Sequence, residues 1–560
     1  MMSTKMIAKK FYLKWPRYFI SRWQHVSSFP VNEPSTDLTD ISIRTSLLNE
    51  LYNVENKQIE IPCVVDGKKI FTGNVAYQIL PYRHENKVAK VHLADEKLIN
   101  KAIDSSLLKR NEWEILSQDE RSSIFTNAAT LLTTKYRLHS LALTMAGQAK
   151  VAMQADIDCV AELADFLRFN AHYAKGILDN VELIQFEKEK NSMTARGLEG
   201  FIAAISPFNF TAIGGNLATG PATLGNVVLW KPSLSSMIAS WSIYEILEEA
   251  GLPPGVINFL PSHEVKFGNT VTSSPHMAGL SFVGSERTFK ALWKQVGNNI
   301  DIYRTFPRLS GECGGKNFHF VHESADIDLV VNSTIRSAFE YSGQKCSACG
   351  RMYVPDTIWP QIREKLLDCH KDVKMGEPSE FSNFMSSVIN KKAFESIKGF
   401  IDYAKKCENV IILAGGISDD RVGYYIEPTI MEVKDPKDKL MTEEIFGPVL
   451  PIYVYKADMY RDILKMIDET SKFALTGAVF SESREVIREV QQVLRQAAGN
   501  FYINDKCTGS VVAQQPFGGR RMSGTNDKPG CYLNILPWVS PLSVKRNILK
   551  LKDWKYDYMK

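Results

Sequence analysis

The apolar positions of this chain change period near residue 200, and the change divides it. Before that point the spacing is helical over residues 94–140. Within 114–132, Ile115, Ile124, Ala128, Leu131 and Leu132 share one side, interrupted by the polar stretch 117–122. A further helix is expected over 155–173, with Ile157, Val160, Leu163, Ala164 and Leu167 forming a buried stripe and Glu162 on the polar, solvated side. Ahead of both, residues 61–77 place short apolar runs around Asp66-Gly67, the pattern of strands or a hairpin. Beyond 200 the expected strands are 201–205, 226–230, 256–260 and 279–283, alternating with helices at 237–250 and 287–296. Such alternation predicts an α/β fold, a mostly parallel sheet with helices on both faces. A second αβ region opens at 351–354, with helices at 359–367, 390–407 and 483–497 and strands at 410–414, 425–432 and 475–480. Residues 507–529, rich in Gly, Ser, Asn and Pro, form a long irregular segment that either carries function or covers a domain junction.

Composition narrows the class. At 560 residues, 44% hydrophobic and 23% charged, the chain has the profile of a globular protein of two or three domains. A net charge of +4 offers no basic footprint for nucleic acid. Nine scattered cysteines are no secreted disulfide framework, so a reducing compartment is expected. The beginning differs: Lys5, Lys9, Lys10, Lys14, Arg17 and Arg22 precede the first acidic residue, Glu33, with Phe11, Trp15, Tyr18 and Trp23 among them. Residues 1–35 therefore read as a mitochondrial presequence, with a disordered basic arm as the alternative. Residues 200–230 contain no charge, but Pro207, Asn209, Gly214, Gly215, Asn216 and Pro221 suit a strand, polar loop and helix better than a membrane span. No transmembrane segment is expected.

The candidate chemistry centres on 339–349, where Cys346 follows Gly343-Gln344-Lys345. Three readings stay open locally: a nucleophile, a buried structural thiol, or metal or redox use of the Cys346/Cys349 pair. No second close cysteine pair or histidine cluster follows, and a closed zinc site needs four ligands, so no metal is expected. A thiolate attacking a carbonyl needs an oxyanion donor, which the Asn209 amide can supply, and a thioester must be cleared by water, whose proton Glu312 can take. Asparagine equally fills loops, and Glu312 equally binds backbone amides of its own glycine turn; spacing alone does not bring the three together. Gly284-Ser285, between a strand and a helix, suits a phosphate, but the Gly-x-Gly-x-x-Gly fingerprint is absent and Ser285 reads equally as a helix cap.

Longer stretches say more. Ile205-Ser206-Pro207-Phe208-Asn209-Phe210, Gly220-Pro221-Ala222, Lys231-Pro232-Ser233, Gly255-Val256-Ile257-Asn258, Phe282-Val283-Gly284-Ser285, Gly311-Glu312-Cys313-Gly314-Gly315-Lys316, Gly343-Gln344-Lys345-Cys346 and Glu443-Glu444-Ile445-Phe446-Gly447-Pro448-Val449 occur in the order of the NAD(P)-dependent aldehyde dehydrogenase superfamily, which the chain resembles over roughly residues 61–543. Asn209 through Asn216, Gly343 through Cys349, and Thr508 through Gly519 with its continuation Ser523 to Gly530 resemble more narrowly the delta-1-pyrroline-5-carboxylate dehydrogenases.

That resemblance implies an aldehyde dehydrogenase-like fold: a Rossmann-type cofactor portion over 36–307 with an oligomerisation excursion at 181–193, an α/β catalytic domain over 308–500, a substrate-anchoring segment at 501–529 and an oligomerisation tail at 530–560, the 181–193 excursion and the tail forming a small β oligomerisation element. It implies Cys346 as nucleophile, Glu312 as base and Asn209 as oxyanion donor. It implies NAD, with NADP use open because Leu234 stands where many members carry a ribose-binding glutamate. Ser206, Phe208, Lys231, Ser233, Gly284, Ser285, Glu444 and Phe446 would face that cofactor; Glu162, Phe210, Ser347, Gly509, Ser510 and Phe517 would face the substrate. The implied reaction is oxidation of L-glutamate γ-semialdehyde, in equilibrium with 1-pyrroline-5-carboxylate, to L-glutamate through a cysteine thioester. Proline degradation in the mitochondrial matrix, by a homodimer or larger homo-oligomer, would be its setting. The alternatives are a dehydrogenase of another semialdehyde or aliphatic aldehyde, or a catalytically silent structural protein.

Overall fold

The computed structural model describes residues 29–179 and 181–560, so the basic arm expected at the start lies outside the described residues up to residue 28. Two seven-stranded sheets dominate. In the first, Arg308–Glu312, Met277–Val283, Phe201–Ile205, Val227–Lys231 and Ile257–Phe259 lie side by side and parallel, and the hairpin Cys63–Val65/Lys68–Ile70 closes the edge in antiparallel sense. The hairpin turns at Asp66-Gly67, both at positive φ, as the twist of a two-residue hairpin loop requires. Successive side chains of a strand point to opposite faces, and Phe201–Ile205 obeys this with both faces apolar. Phe201, Ala203 and Ile205 join a core with Ile99, Phe267 and Leu292, whereas Ile202 and Ala204 join another with Ala218, Ile238 and Trp241. Helices therefore cover both faces, the arrangement expected of buried parallel strands.

The parallel part of this sheet starts at Phe201–Ile205, runs outward through Val227–Lys231 and Ile257–Phe259, then returns to place Met277–Val283 and Arg308–Glu312 on the other side. The order thus reverses between Phe201–Ile205 and Met277–Val283, and the crevice outside the carboxyl ends at such a reversal is where open α/β sheets bind ligands. Ser206 and Gly284 lie there.

The second sheet orders Val410–Ala414, Thr429–Val433, Val449–Tyr455, Cys349–Pro355, Asn317–Val321, Thr476–Phe480 and Asn500–Ile503, all parallel except Val410–Ala414. Strand pairing corrects two expected limits. Arg308–Glu312, assigned to the catalytic portion, hydrogen-bonds within the first sheet, and the second sheet begins at Asn317–Val321, ahead of the cysteine stretch. Asn500–Ile503 belongs to this sheet as well. The strand expected over 425–432 is two, Tyr425–Ile426 and Thr429–Val433, each in a different sheet. Glu189–Arg196 pairs along its full length with Ser540–Asn547, making a separate two-stranded ribbon from the excursion and the tail. Among the described residues no helix is long and apolar enough to cross a membrane.

The helical region before residue 200 departs from its expected pattern in two places. The polar interruption at 117–122 is a true break: Ser117 and Glu120 form a capping box that starts Gln118–Thr133 after Glu96–Ile115 has ended. The helix expected over 155–173 opens instead with a π-helical turn, Asp156–Glu162, before the α-helix Leu163–Lys175. A π turn holds more residues than an α turn, so a 3.6-residue period drawn through it misplaces its side chains. Ile157, expected inside, is 40% exposed, and Glu162, expected in solvent, turns into a cavity.

Candidate active site

Cys346 follows a tight turn that few sequences can make. Helix Ile327–Phe339 ends in a 3-10 turn, Glu340–Gly343, with Tyr341, Ser342 and Gly343 all at positive φ. Gly343 is obligatory there, because a side chain would run into the Gly447 carbonyl. The turn leaves Cys346 half-buried on the wall of a cavity of about 370 Å³ between the two sheets. Asn317, at the start of the neighbouring strand, fixes the loop by donating its amide to the Cys346 carbonyl (2.7 Å) and the Ala348 carbonyl (2.8 Å).

Asn209 is buried at the loop after Phe201–Ile205, and its Nδ2 donates to the Gln344 carbonyl at 3.1 Å. Its side chain therefore bridges to the cysteine loop. The loop itself is held by a group that the sequence did not reveal. Asp158, fully buried, accepts from the first backbone amides of helix Thr211–Thr223, Thr211 N and Ala212 N, both at 2.9 Å. Lys150 Nζ donates to the same carboxylate at 2.7 Å and lies over the rings of Phe210 (4.3 Å) and Tyr341 (4.6 Å). One buried ion pair thus ties the Asn209–Phe210 loop to the turn before Cys346.

Glu312 ends its strand and lines the same cavity. Its carboxylate binds backbone amides, not of its own glycine turn but of the irregular segment: Gly519 N donates at 2.7 Å and Asn526 N at 3.2 Å. Burial pushes its pKa up to about 8, with those amides opposing and Asp527 adding to the rise. Burial likewise holds the Cys346 thiol up at about 12, reinforced by the Glu444, Glu312 and Glu162 carboxylates. Glu162 is itself raised to about 8 by burial and by Asp158.

The remaining cavity wall contains all the residues expected at the substrate: Glu162, Phe210, Ser347, Gly509, Ser510 and Phe517. Ser347 Oγ lies 2.7 Å from Thr508 Oγ1, joining the residue after the nucleophile to the 507–529 segment.

The residues expected at the cofactor lie elsewhere, at the carboxyl ends of the first sheet and on the facing part of the second. Gly284 N donates to the Glu312 carbonyl at 3.1 Å, and Ser285 caps helix Glu286–Asn298 by accepting from Thr288 N at 3.2 Å. Capping and anion binding are compatible at a helix start, where further backbone amides remain free. Ser206 Oγ accepts from Trp230 Nε1 at 2.7 Å, Lys231 is buried with Glu264 as its nearest carboxylate at 3.9 Å, and Ser233 starts a 3-10 turn. The Phe208 and Phe446 rings meet edge to face at 5.9 Å. Glu444 accepts from Gly315 N at 2.7 Å, and burial raises its pKa to about 7. A buried cation without a close partner, a helix start and a carboxylate for hydroxyl groups together fit a dinucleotide.

Comparison with known proteins extends the picture. The aldehyde dehydrogenase family profile matches residues 73–534. The mitochondrial delta-1-pyrroline-5-carboxylate dehydrogenase of Homo sapiens is 54% identical over 541 residues, 96% of each chain, and that of Danio rerio 54% over 530 residues, 94% of this chain and 95% of the other. Among solved structures, the Mycobacterium tuberculosis Delta-pyrroline-5-carboxylate dehydrogenase bound with NAD superposes with a TM-score of 0.91 at 39% identity, covering 96% of this chain and 99% of that one. The 1-pyrroline-5-carboxylate dehydrogenase from Thermus with bound NAD gives 0.87 at 28% identity, covering 93% and 100%.

Proposed function

This chain belongs to the aldehyde dehydrogenase family, and from that premise we propose that it oxidises L-glutamate γ-semialdehyde, the open form of 1-pyrroline-5-carboxylate, to L-glutamate with NAD. The observation that carries this reading is the single cavity in which Cys346 and Glu312 face the Gly509-Ser510 segment. A thiol, a carboxyl of near-neutral pKa and a loop of backbone amides and hydroxyls are what an aldehyde bearing an α-carboxylate requires.

In the proposed mechanism the amino acid end of the substrate is gripped by Gly509, Ser510 and Ser347, with Glu162 at the pocket edge, and its aliphatic part lies between Phe210 and Phe517. Cys346 Sγ adds to the carbonyl carbon. A thiol held near 12 needs a proton acceptor, and Glu312 in its ionised form, which predominates above pH 8, can take the proton. The Asn209 amide steadies the oxyanion. NAD would be held by Lys231 and Ser233 at the adenosine ribose, Ser285 and the Gly284 turn at the pyrophosphate, Glu444 at the nicotinamide ribose and Phe446 beside the ring, with Ser206 and Phe208 lining the approach, and would supply the hydride acceptor. Once Glu312 has passed the thiol's proton to solvent it takes a proton from water, whose hydroxide opens the γ-glutamyl thioester; glutamate leaves and the Cys346 sulfur takes that proton back.

Leu234 places no carboxylate beside the adenosine ribose, which removes one barrier to NADP. The ribbon of Glu189–Arg196 and Ser540–Asn547 has an exposed outer edge suited to a second copy of this chain, so a homo-oligomer is proposed. The basic arm, together with relatives named as mitochondrial, supports the matrix as location. Production of NADH by purified protein from pyrroline-5-carboxylate, beside succinate semialdehyde and propanal at equal concentration, tests the proposal. Marked preference for the first supports it; turnover of the others alone keeps the dehydrogenase and refutes the substrate.

A further inference from the structure

Three metal-ligating side chains meet in the core behind the nucleophile. His319, Cys349 and Cys507 each place a ligand atom within 4.8 Å of the other two, and all three are buried. They come from three separate parts of the chain: strand Asn317–Val321, the first residue of its parallel neighbour Cys349–Pro355, and the start of the irregular segment. Sequence spacing gives no sign of this cluster, because no second close cysteine pair or histidine cluster follows Cys349 along the chain.

The histidine is held in the tautomer a ligand needs, and binding a cation displaces the long hydrogen bond that its Nε2 accepts from Cys507 N. Cys507 N, which can only donate, points at His319 Nε2 (3.3 Å), so Nε2 carries the lone pair and Nδ1–H faces Thr334 Oγ1 at 3.0 Å. A hydrogen bond from the remote ring nitrogen to a fixed partner is the feature that orients metal-bound histidines. The thiols meet each other and make long contacts to backbone, Cys349 Sγ to the Arg351 carbonyl at 3.5 Å and Cys507 Sγ to the Ser347 carbonyl at 3.4 Å. Ser337 Oγ stands 3.2 Å from Cys507 Sγ, where it or a water can complete a tetrahedron.

We propose that His319, Cys349 and Cys507 form a binding site for one divalent d10 cation of the zinc class. Two thiolates and an imidazole are the donor set such ions select. Binding forms two metal–sulfur bonds and one metal–nitrogen bond and sends the two thiol protons to solvent. Two thiolates neutralise the cation, so the core gains no net charge. The ion ties the strand that follows the nucleophile to Thr508, and through it to Gly509 and Ser510, and so stabilises the substrate-side wall without touching the reacting atoms.

The test uses the full chain carrying Cys346→Ala, kept reduced, so that the nucleophile does not compete. Titration with Cd2+ is followed by the ultraviolet sulfur-to-metal charge-transfer band, and Zn2+ content by equilibrium dialysis. Expected are one ion per chain, a band of two-thiolate intensity that falls by about half in Cys507→Ser, and affinity lowered about 10-fold in Thr334→Val, which touches no ligand atom. His319→Gln should keep the band and weaken binding. An unchanged band and stoichiometry in Cys507→Ser would overturn the site, as would no uptake by the parent protein shown to be folded by circular dichroism, or unchanged affinity in Thr334→Val. Recovery of Cys349 and Cys507 as a disulfide after the titration would do the same and mark them as a redox pair.

Discussion

Asn209 Nδ2 donates to the Gln344 carbonyl across 3.1 Å, so the proposed oxyanion donor is fixed by the same loop that presents the nucleophile. Donor and thiol therefore move together. Asn209→Ala should lower kcat by about 10²–10³-fold with a smaller change in KM, because the amide is worth most where charge develops. Steady-state kinetics on pyrroline-5-carboxylate check this; a loss confined to KM would assign Asn209 to ground-state binding.

The proposed role of Glu312 as base predicts a pH dependence. Its pKa, raised by burial to about 8, leaves the carboxyl mainly protonated at pH 7 and ionised above pH 8. A base that must be ionised to act makes turnover rise with pH through that value. Glu312→Gln should remove this limb and slow steady-state turnover more than the first burst of NADH. A rise near pH 8 that persists in Glu312→Gln would place the titrating group elsewhere.

Asp158 and Lys150 form a nearly solvent-free pair, each side chain 1% exposed. Asp158→Ala strands the Lys150 ammonium in the core and removes the acceptor of two helix-start amides, so a stability loss of about 3–5 kcal/mol is expected, read from urea unfolding. Lys150→Met, which keeps the volume over Phe210 and Tyr341 but leaves Asp158 its amide partners, should cost less.

The hydroxyl pair Ser347–Thr508 joins nucleophile and anchor segment at 2.7 Å. Ser347→Ala and Ser510→Ala should raise KM for pyrroline-5-carboxylate by about tenfold, the cost of one hydrogen bond to a charged group, while leaving propanal kinetics nearly unchanged. Equal losses on both aldehydes would remove the carboxylate grip from these residues.

Much of this was legible in the sequence because it is local. Strands such as Phe201–Ile205 and Val227–Lys231 are short apolar runs bounded by turn residues, and their helices keep an α-helical period. The positions expected around the aldehyde sit on stretches long enough to resemble a family residue by residue. What escaped depends on contacts between distant segments. Asp158 looks like any helix-surface acid until helix Thr211–Thr223 is placed against it. Glu162 and Ile157 exchanged their expected environments because a π turn shifts the helical phase. The His319–Cys349–Cys507 cluster has no spacing signature, since strand pairing brings the first two together and the irregular segment adds the third.

The central claim is that Cys346 carries the acyl group and Glu312 clears it. Glu312→Gln protein mixed with NAD and pyrroline-5-carboxylate, quenched in acid and weighed intact, tests both halves at once. The account predicts a γ-glutamyl adduct that peptide mapping locates on Cys346 and that Cys346→Ala abolishes. An adduct on another residue, or full turnover by Cys346→Ser protein, would contradict it.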